Sequence, residues 1–207
     1  MTHVDGAEAA VRAPPCKGLN RRNMARLIAA TMAMVAVGAH TPYGQWTVYR
    51  QRNLFIVASR TDPHAVVLAD ALAVGLAREL PESHARMTRA SDPVRIASLL
   101  ATGQLDVAIV SRSEAAGMSS GSGAYRAVGP VPIRTLAELG AHFFVTVETL
   151  KERHAYLLAA AVEHLRSSLP VAAETTSSQP LTLPEHPGAA AYRGGAPLPN
   201  SDLPAQD

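Results

Sequence analysis

Apolar and polar positions change period several times along this chain, and each change marks an element. Leu54-Phe55-Ile56-Val57-Ala58 is an unbroken apolar run of the kind that forms a β-strand, and it ends in Ser59-Arg60-Thr61-Asp62. From Pro63 onward Val66, Val67, Ala69, Leu72, Ala73, Leu76 and Leu80 recur at helical spacing, and Pro81 stops the predicted helix. Residues Ala85 to Ala90 read as a second strand around Met87, running into Ser91-Asp92-Pro93. Asp92 can cap a helix there, Pro93 suits its first turn, and Ile96, Leu99 and Leu100 give it one apolar face. Gly103 supplies the left-handed residue that ends it. Val107-Ala108-Ile109-Val110 is a third strand, apolar throughout and so covered on both faces, as in a parallel sheet. It leaves through Ser111, Arg112 and Ser113 into a short helical stretch, Glu114 to Met118.

Ser119 to Gly129 is a Gly/Ser loop holding Tyr125 and Arg126, either a surface connection or a lid. Pro130 to Ile133 is extended, Leu136 to Gly140 is a brief turn or strand, and Phe143 to Val147 is a fourth strand. A last helix covers about Thr149 to Leu165, with Leu150, Leu157, Leu158, Ala161 and Leu165 on one face. Residues 169–207 scatter prolines through Ser, Thr, Gly and Ala without an apolar period, so a disordered tail is expected. Residues 1–23 also lack periodicity and are expected to be disordered. Arg21, Arg22 and Arg26 then flank the apolar run Leu27 to Ala39, about 13 residues, against the roughly 18–20 that cross a bilayer. A positive flank, a short apolar centre and a small-x-small end form the pattern of a secretory signal. Residues 24–39 are therefore expected to be an export signal, resembling the twin-arginine kind, or a membrane anchor; a buried core helix is the third reading.

Composition narrows the function. With 47% hydrophobic and 17% charged residues the chain can build a core, and 4% aromatics make that core aliphatic. A formal net charge of +2 with scattered Lys and Arg predicts no nucleic-acid partner. Cys16 is the single cysteine and cannot close an internal disulfide. None of the eight histidines forms an i, i+4 pair, so no metal site is expected. No G-x-S-x-G elbow, P-loop or G-x-G-x-x-G motif is present, so neither enzyme chemistry nor a cofactor is expected.

Three strand-to-helix junctions share one character: Ser59 to Asp62, Ser91 to Asp92, and Ser111 to Ser113. Each offers hydroxyls and unpaired helix N-terminal amides, which favour anions. Arg60 and Arg112 could grip a carboxylate with two hydrogen bonds. Open α/β sheets place ligands at the carboxyl ends of their strands. The candidate ligand residues are thus Ser59, Arg60, Thr61, Ser91, Ser111 and Arg112; Asp62 and Asp92 are read as helix caps. The competing reading is that the hydroxyls only cap helices as well.

The phrase from Leu99 to Ile109, LLATGQLDVAI, is similar to a turn in solute receptors of the TAXI (TRAP-associated extracytoplasmic immunogenic) type and in effector domains of LysR-type regulators. With the strand and helix order before it, the stretch from about Asn53 to Leu165 resembles the type II periplasmic solute-binding fold. The resemblance implies an α/β domain over residues 46–168, a single-lobe, open, mostly parallel sheet with flanking helices. It implies that strand-end residues matching Ser59-Arg60-Thr61 and Ser111-Arg112 hold the solute. It further implies a non-catalytic extracytoplasmic protein, periplasmic or anchored facing the periplasm, that presents a small anionic or polar solute to a membrane transporter. The family closes two lobes on its solute, the second of roughly a hundred residues. Here about twenty residues separate the third strand from Val131, so the second lobe is absent or reduced to Ser119–Gly129. A transporter subunit or a second copy of the chain would then supply the missing wall. The alternative is a membrane-associated protein-interaction or sensor module on the same lobe. A LysR-like regulator would need a DNA-binding helix pair ahead of the lobe, which residues 1–20 do not provide.

Overall fold

The computed structural model describes residues 53–171 and 183–199. The N-terminal segment 1–23 and the export or anchor stretch 24–39 lie outside the described residues. The apolar runs form a five-stranded sheet from β1 (Phe55–Ser59), β2 (Arg86–Ala90), β3 (Val107–Ser111), β4 (Ile133–Leu139) and β5 (His142–Val147), in the order β2-β1-β3-β5-β4. β1 pairs in parallel with β2 and β3, whereas β5 runs antiparallel to both β3 and β4. The open sheet, expected to be mostly parallel, is mixed, with two parallel and two antiparallel pairs. The reason is local: β4 and β5 are joined by Gly140 and Ala141, with Gly140 at φ +63°, and so tight a hairpin can only make an antiparallel pair.

Helices cover both faces. On one lie α1 (Pro63–Glu79), α4 (Glu152–Leu165) and α5 (Pro187–Arg193); on the other lie α2 (Pro93–Ala101) and α3 (Arg112–Ser120). Asp62 and Asp92 cap α1 and α2 as read, accepting the Ala65 and Arg95 N–H groups at 3.0 and 2.8 Å. Phe144, Leu72, Leu68 and Ile109 fill the core under α1, and Phe143, Ile96 and Met118 the core under α2 and α3. Among the described residues no helix is long and apolar enough to cross a membrane.

A bulge between Thr135 and Ala137 explains why β4 reads as only a brief element. It moves the odd-numbered positions from one face to the other: Ile133 packs under α2 and α3, while Ala137 and Leu139 pack under α1 and α4. The Gly/Ser stretch is no lid either. Tyr125 is buried and packs against Gly117, where a methyl group would strike its ring. Burial, and then the charges of Glu114 and Asp92, push the Tyr125 hydroxyl up to about 12.

The expectation of a tail without structure fails for residues 183–199. Thr135 N–H donates to the Pro184 carbonyl at 2.9 Å and His186 N–H to the Thr135 carbonyl at 3.0 Å, so the segment lies parallel along the β4 edge. α5 then docks on α4. Tyr192 meets Tyr156 edge-on at 5.4 Å, Tyr156 donates its hydroxyl to the Ala196 carbonyl at 3.0 Å, and Arg193 pairs with Glu185. Proline content conceals this order because the ordering comes from tertiary burial rather than from local period.

His186 secures the segment. It is 1% exposed; its Nδ1 accepts the Gly188 N–H at 3.2 Å, and its Nε2–H donates to the Leu150 carbonyl at 3.0 Å. Only the neutral ring satisfies both partners, and burial holds its pKa below the usual histidine value. The unfolded ring therefore takes a proton more readily than the folded one. Its stabilising contribution is complete above the unfolded value, about 6.5, and is lost as pH falls through the folded one. Amide exchange over residues 187–193, corrected for intrinsic rates, is expected to quicken between pH 7 and pH 5. His186→Gln, which keeps one donor and one acceptor, should remove that dependence.

Candidate functional site

The strand order reverses between β1 and β3, so α1 and α2 leave toward opposite faces of the sheet. The carboxyl ends of those two strands are therefore the switch point at which open α/β folds, as a rule, bind ligands. Ser59 ends β1 and is 1% exposed. Its Oγ shares a hydrogen bond with Thr61 Oγ1 at 2.7 Å and accepts the Thr61 N–H at 3.2 Å. Ser111 ends β3 and caps α3: Glu114 N–H donates to its Oγ at 3.4 Å, and its own N–H donates to the Glu114 carboxylate at 2.8 Å. Arg112 follows. Its N–H donates to the Ala141 carbonyl at 3.2 Å, its guanidinium lies 4.7 Å from the centre of the Phe143 ring, and its Nη2 donates to Glu138 Oε2 at 3.1 Å.

Four of the six expected residues are thus gathered at neighbouring strand ends: Ser59, Thr61, Ser111 and Arg112. Ser91 is not with them. It follows β2, on the far side of β1 from β3, and its hydroxyl donates to Asp92 Oδ2 at 2.6 Å. This bond and the Arg95 N–H hold the Asp92 carboxyl below its usual range. Arg60 ties β1 to β2 through its N–H, 3.0 Å from the Ala90 carbonyl, and its side chain is exposed. The hydroxyls do cap helices and turns, as the competing reading held.

Three residues at this edge were not legible as site residues: Asp62 in its second role, Glu138 and His142. His142 opens β5 directly across from Ser111 and is 5% exposed. An ionised carboxylate only accepts, so His142 Nε2–H donates to Asp62 Oδ2, at 2.8 Å. Burial pushes the Asp62 carboxyl up, but the Ala65 N–H and His142 outweigh it and hold the carboxyl below its usual range. The other ring nitrogen of His142, Nδ1, is buried without a partner among the described residues. The only sequence signal was a histidine just after the Gly140 turn; the 80 residues between it and Asp62 hide the pairing.

What this edge offers an anion is one guanidinium, which lies over the Phe143 ring and pairs with Glu138, whose side chain is 56% exposed. Exchanging that partner costs at most about 1 kcal/mol, since exposed ion pairs contribute no more. Among the described residues no three His, Cys, Asp or Glu side chains come together to hold a metal ion. No protein-family model and no curated protein matches the chain.

Proposed function

We propose that this lobe is a non-catalytic solute-binding module that takes a small anionic solute at the carboxyl ends of β1 and β3. Arg112 pairs with the solute's carboxylate or oxyanion in place of Glu138, and the Thr61 and Ser111 hydroxyls line the approach, with Ser59 buried beneath Thr61. The observation that carries this reading is the convergence of those residues at the point where the strand order reverses. One lobe covers only one side of a solute. The other wall comes from a transporter subunit or a second copy of the chain, with the protein periplasmic or anchored facing the periplasm. A second reading, an interaction or sensor module of the same lobe, is favoured by Val67 and Val74, both large, exposed and on α1.

A thermal-shift screen of the full chain against organic acids, amino acids and oxyanions separates the two. A true ligand at 100 times its Kd stabilises by about 2.7 kcal/mol. Arg112→Ala should abolish that shift, and Glu138→Gln should tighten binding, by up to about fivefold for the roughly 1 kcal/mol of a displaced exposed pair. A shift that survives Arg112→Ala removes Arg112 from the site. No shift from any anion gives the lobe to the interaction reading.

A further inference from the structure

At the opposite, amino edge of the sheet a cavity of about 320 Å³ opens between the start of β1, the end of α1 and the first turns of α4. Its volume is at the lower limit of small-molecule sites, roughly 300–1,000 Å³. Leu54, Leu157 and Leu158 give it an apolar floor, and Glu82, Ser83 and Asp106 stand on its polar side with His154 at the rim. Asp106 immediately precedes β3. The Thr146 hydroxyl donates to its backbone carbonyl at 2.7 Å and so fixes its main chain against β5. Its carboxylate accepts no hydrogen bond from the described residues; the residue is exposed to solvent, with protein packed on its cavity side. That partial burial pushes the carboxyl above its usual range, opposed only by the pull of His154. The Ser83 hydroxyl is buried and also lacks a partner among the described residues.

We propose that this cavity is a second binding site, for a small organic ammonium ion with a hydrocarbon body. The body covers the leucines and the ammonium donates to the Asp106 carboxylate. A neutral apolar occupant would strip more water from the Asp106 carboxylate and offer it no donor. An anion would meet Asp106 and Glu82 together. The site is independent of the carboxyl-edge site and would survive the failure of that reading.

Calorimetric titration of the full chain with three probes of one shape tests it: 2-phenylethylammonium, 2-phenylethanol and phenylacetate. The ammonium should bind at least tenfold more tightly than the alcohol, and phenylacetate more weakly than either. Asp106→Asn removes the charge and leaves the Thr146 bond in place, so it should bring ammonium and alcohol to equal affinity. Leu157→Trp fills the cavity from a partly exposed helix position and should weaken the ammonium at least tenfold even if the asparagine variant does not fold. The proposal is overturned by an ammonium that does not bind, that binds no better than the alcohol, or that binds a folded Asp106→Asn variant or Leu157→Trp as well as the native chain.

Discussion

Gly188→Ala is expected to unseat the whole C-terminal segment. Gly188 is the second residue of α5, and a methyl group there would overlap the backbone carbonyl of Glu152 and press on the Ala155 side chain. Both belong to the first turn of α4, whose backbone cannot rotate away as a flexible side chain could. Relieving the overlap means moving α5 off α4. That move breaks the hydrogen bond from the buried His186 ring to the Leu150 carbonyl, separates Tyr192 from Tyr156 and exposes Ala189. Overpacking of this kind costs about 1–3 kcal/mol or more. The expected result is loss of amide protection over residues 183–199, with the helices α1 to α3 still protected. Unchanged protection over 187–193 would show that α5 docks with room to spare.

Phe144→Ala is expected to cost the most of any single core truncation. Phe144 is fully buried at the centre of β5, opposite Ile109 on β3 and Ala137 on β4, and under α1 and α4. Burial on all sides leaves the cavity no way to collapse, so a loss of about 3–5 kcal/mol follows. For a domain of this size that lowers Tm by about 10–20 °C. Phe143, one residue earlier, gives the comparison. It faces the α2 and α3 side and also carries the Arg112 guanidinium. Phe143→Leu keeps most of the volume, so it should cost under about 1.5 kcal/mol while loosening the hold on Arg112. Denaturant melts of both variants check the contrast, and equal losses would contradict it.

Most of the lobe from β1 to β3 was legible in the sequence because its signals are local. Asp62-Pro63 and Asp92-Pro93 announce helix starts, Gly103 a stop (φ +63°), and the run Val107 to Val110 a strand buried on both faces. The second half was read less well because its order depends on distant partners. The bulge at Thr135 and Ala137 erases the alternation that would mark β4 as a full strand. The segment 183–199 carries one local sign, Pro187 at the first helical position followed by Ala189-Ala190-Ala191, but surrounding prolines outweighed it. At the site, Ser59, Thr61, Ser111 and Arg112 stand at neighbouring strand ends, whereas Ser91 lies beyond β1 and the Arg60 side chain is exposed. The charged partners that define the rim, His142 with Asp62 and Glu138 with Arg112, come from a hairpin far along the chain. No spacing rule reaches that distance.

The two margins of the sheet have different fates in a crowded solution. Along β4 the main chain is already partnered by residues 184–186, so no foreign strand can add there without expelling them. β2, at the other margin, has a strand neighbour only on its β1 side among the described residues. A sheet that can grow from one side alone cannot polymerise into a fibre: two molecules would meet β2 to β2 and stop as a closed pair. Even that encounter would crowd Arg86 and Arg89 of both molecules into one short seam, so high ionic strength should favour the pair and dilute buffer should keep the molecules apart.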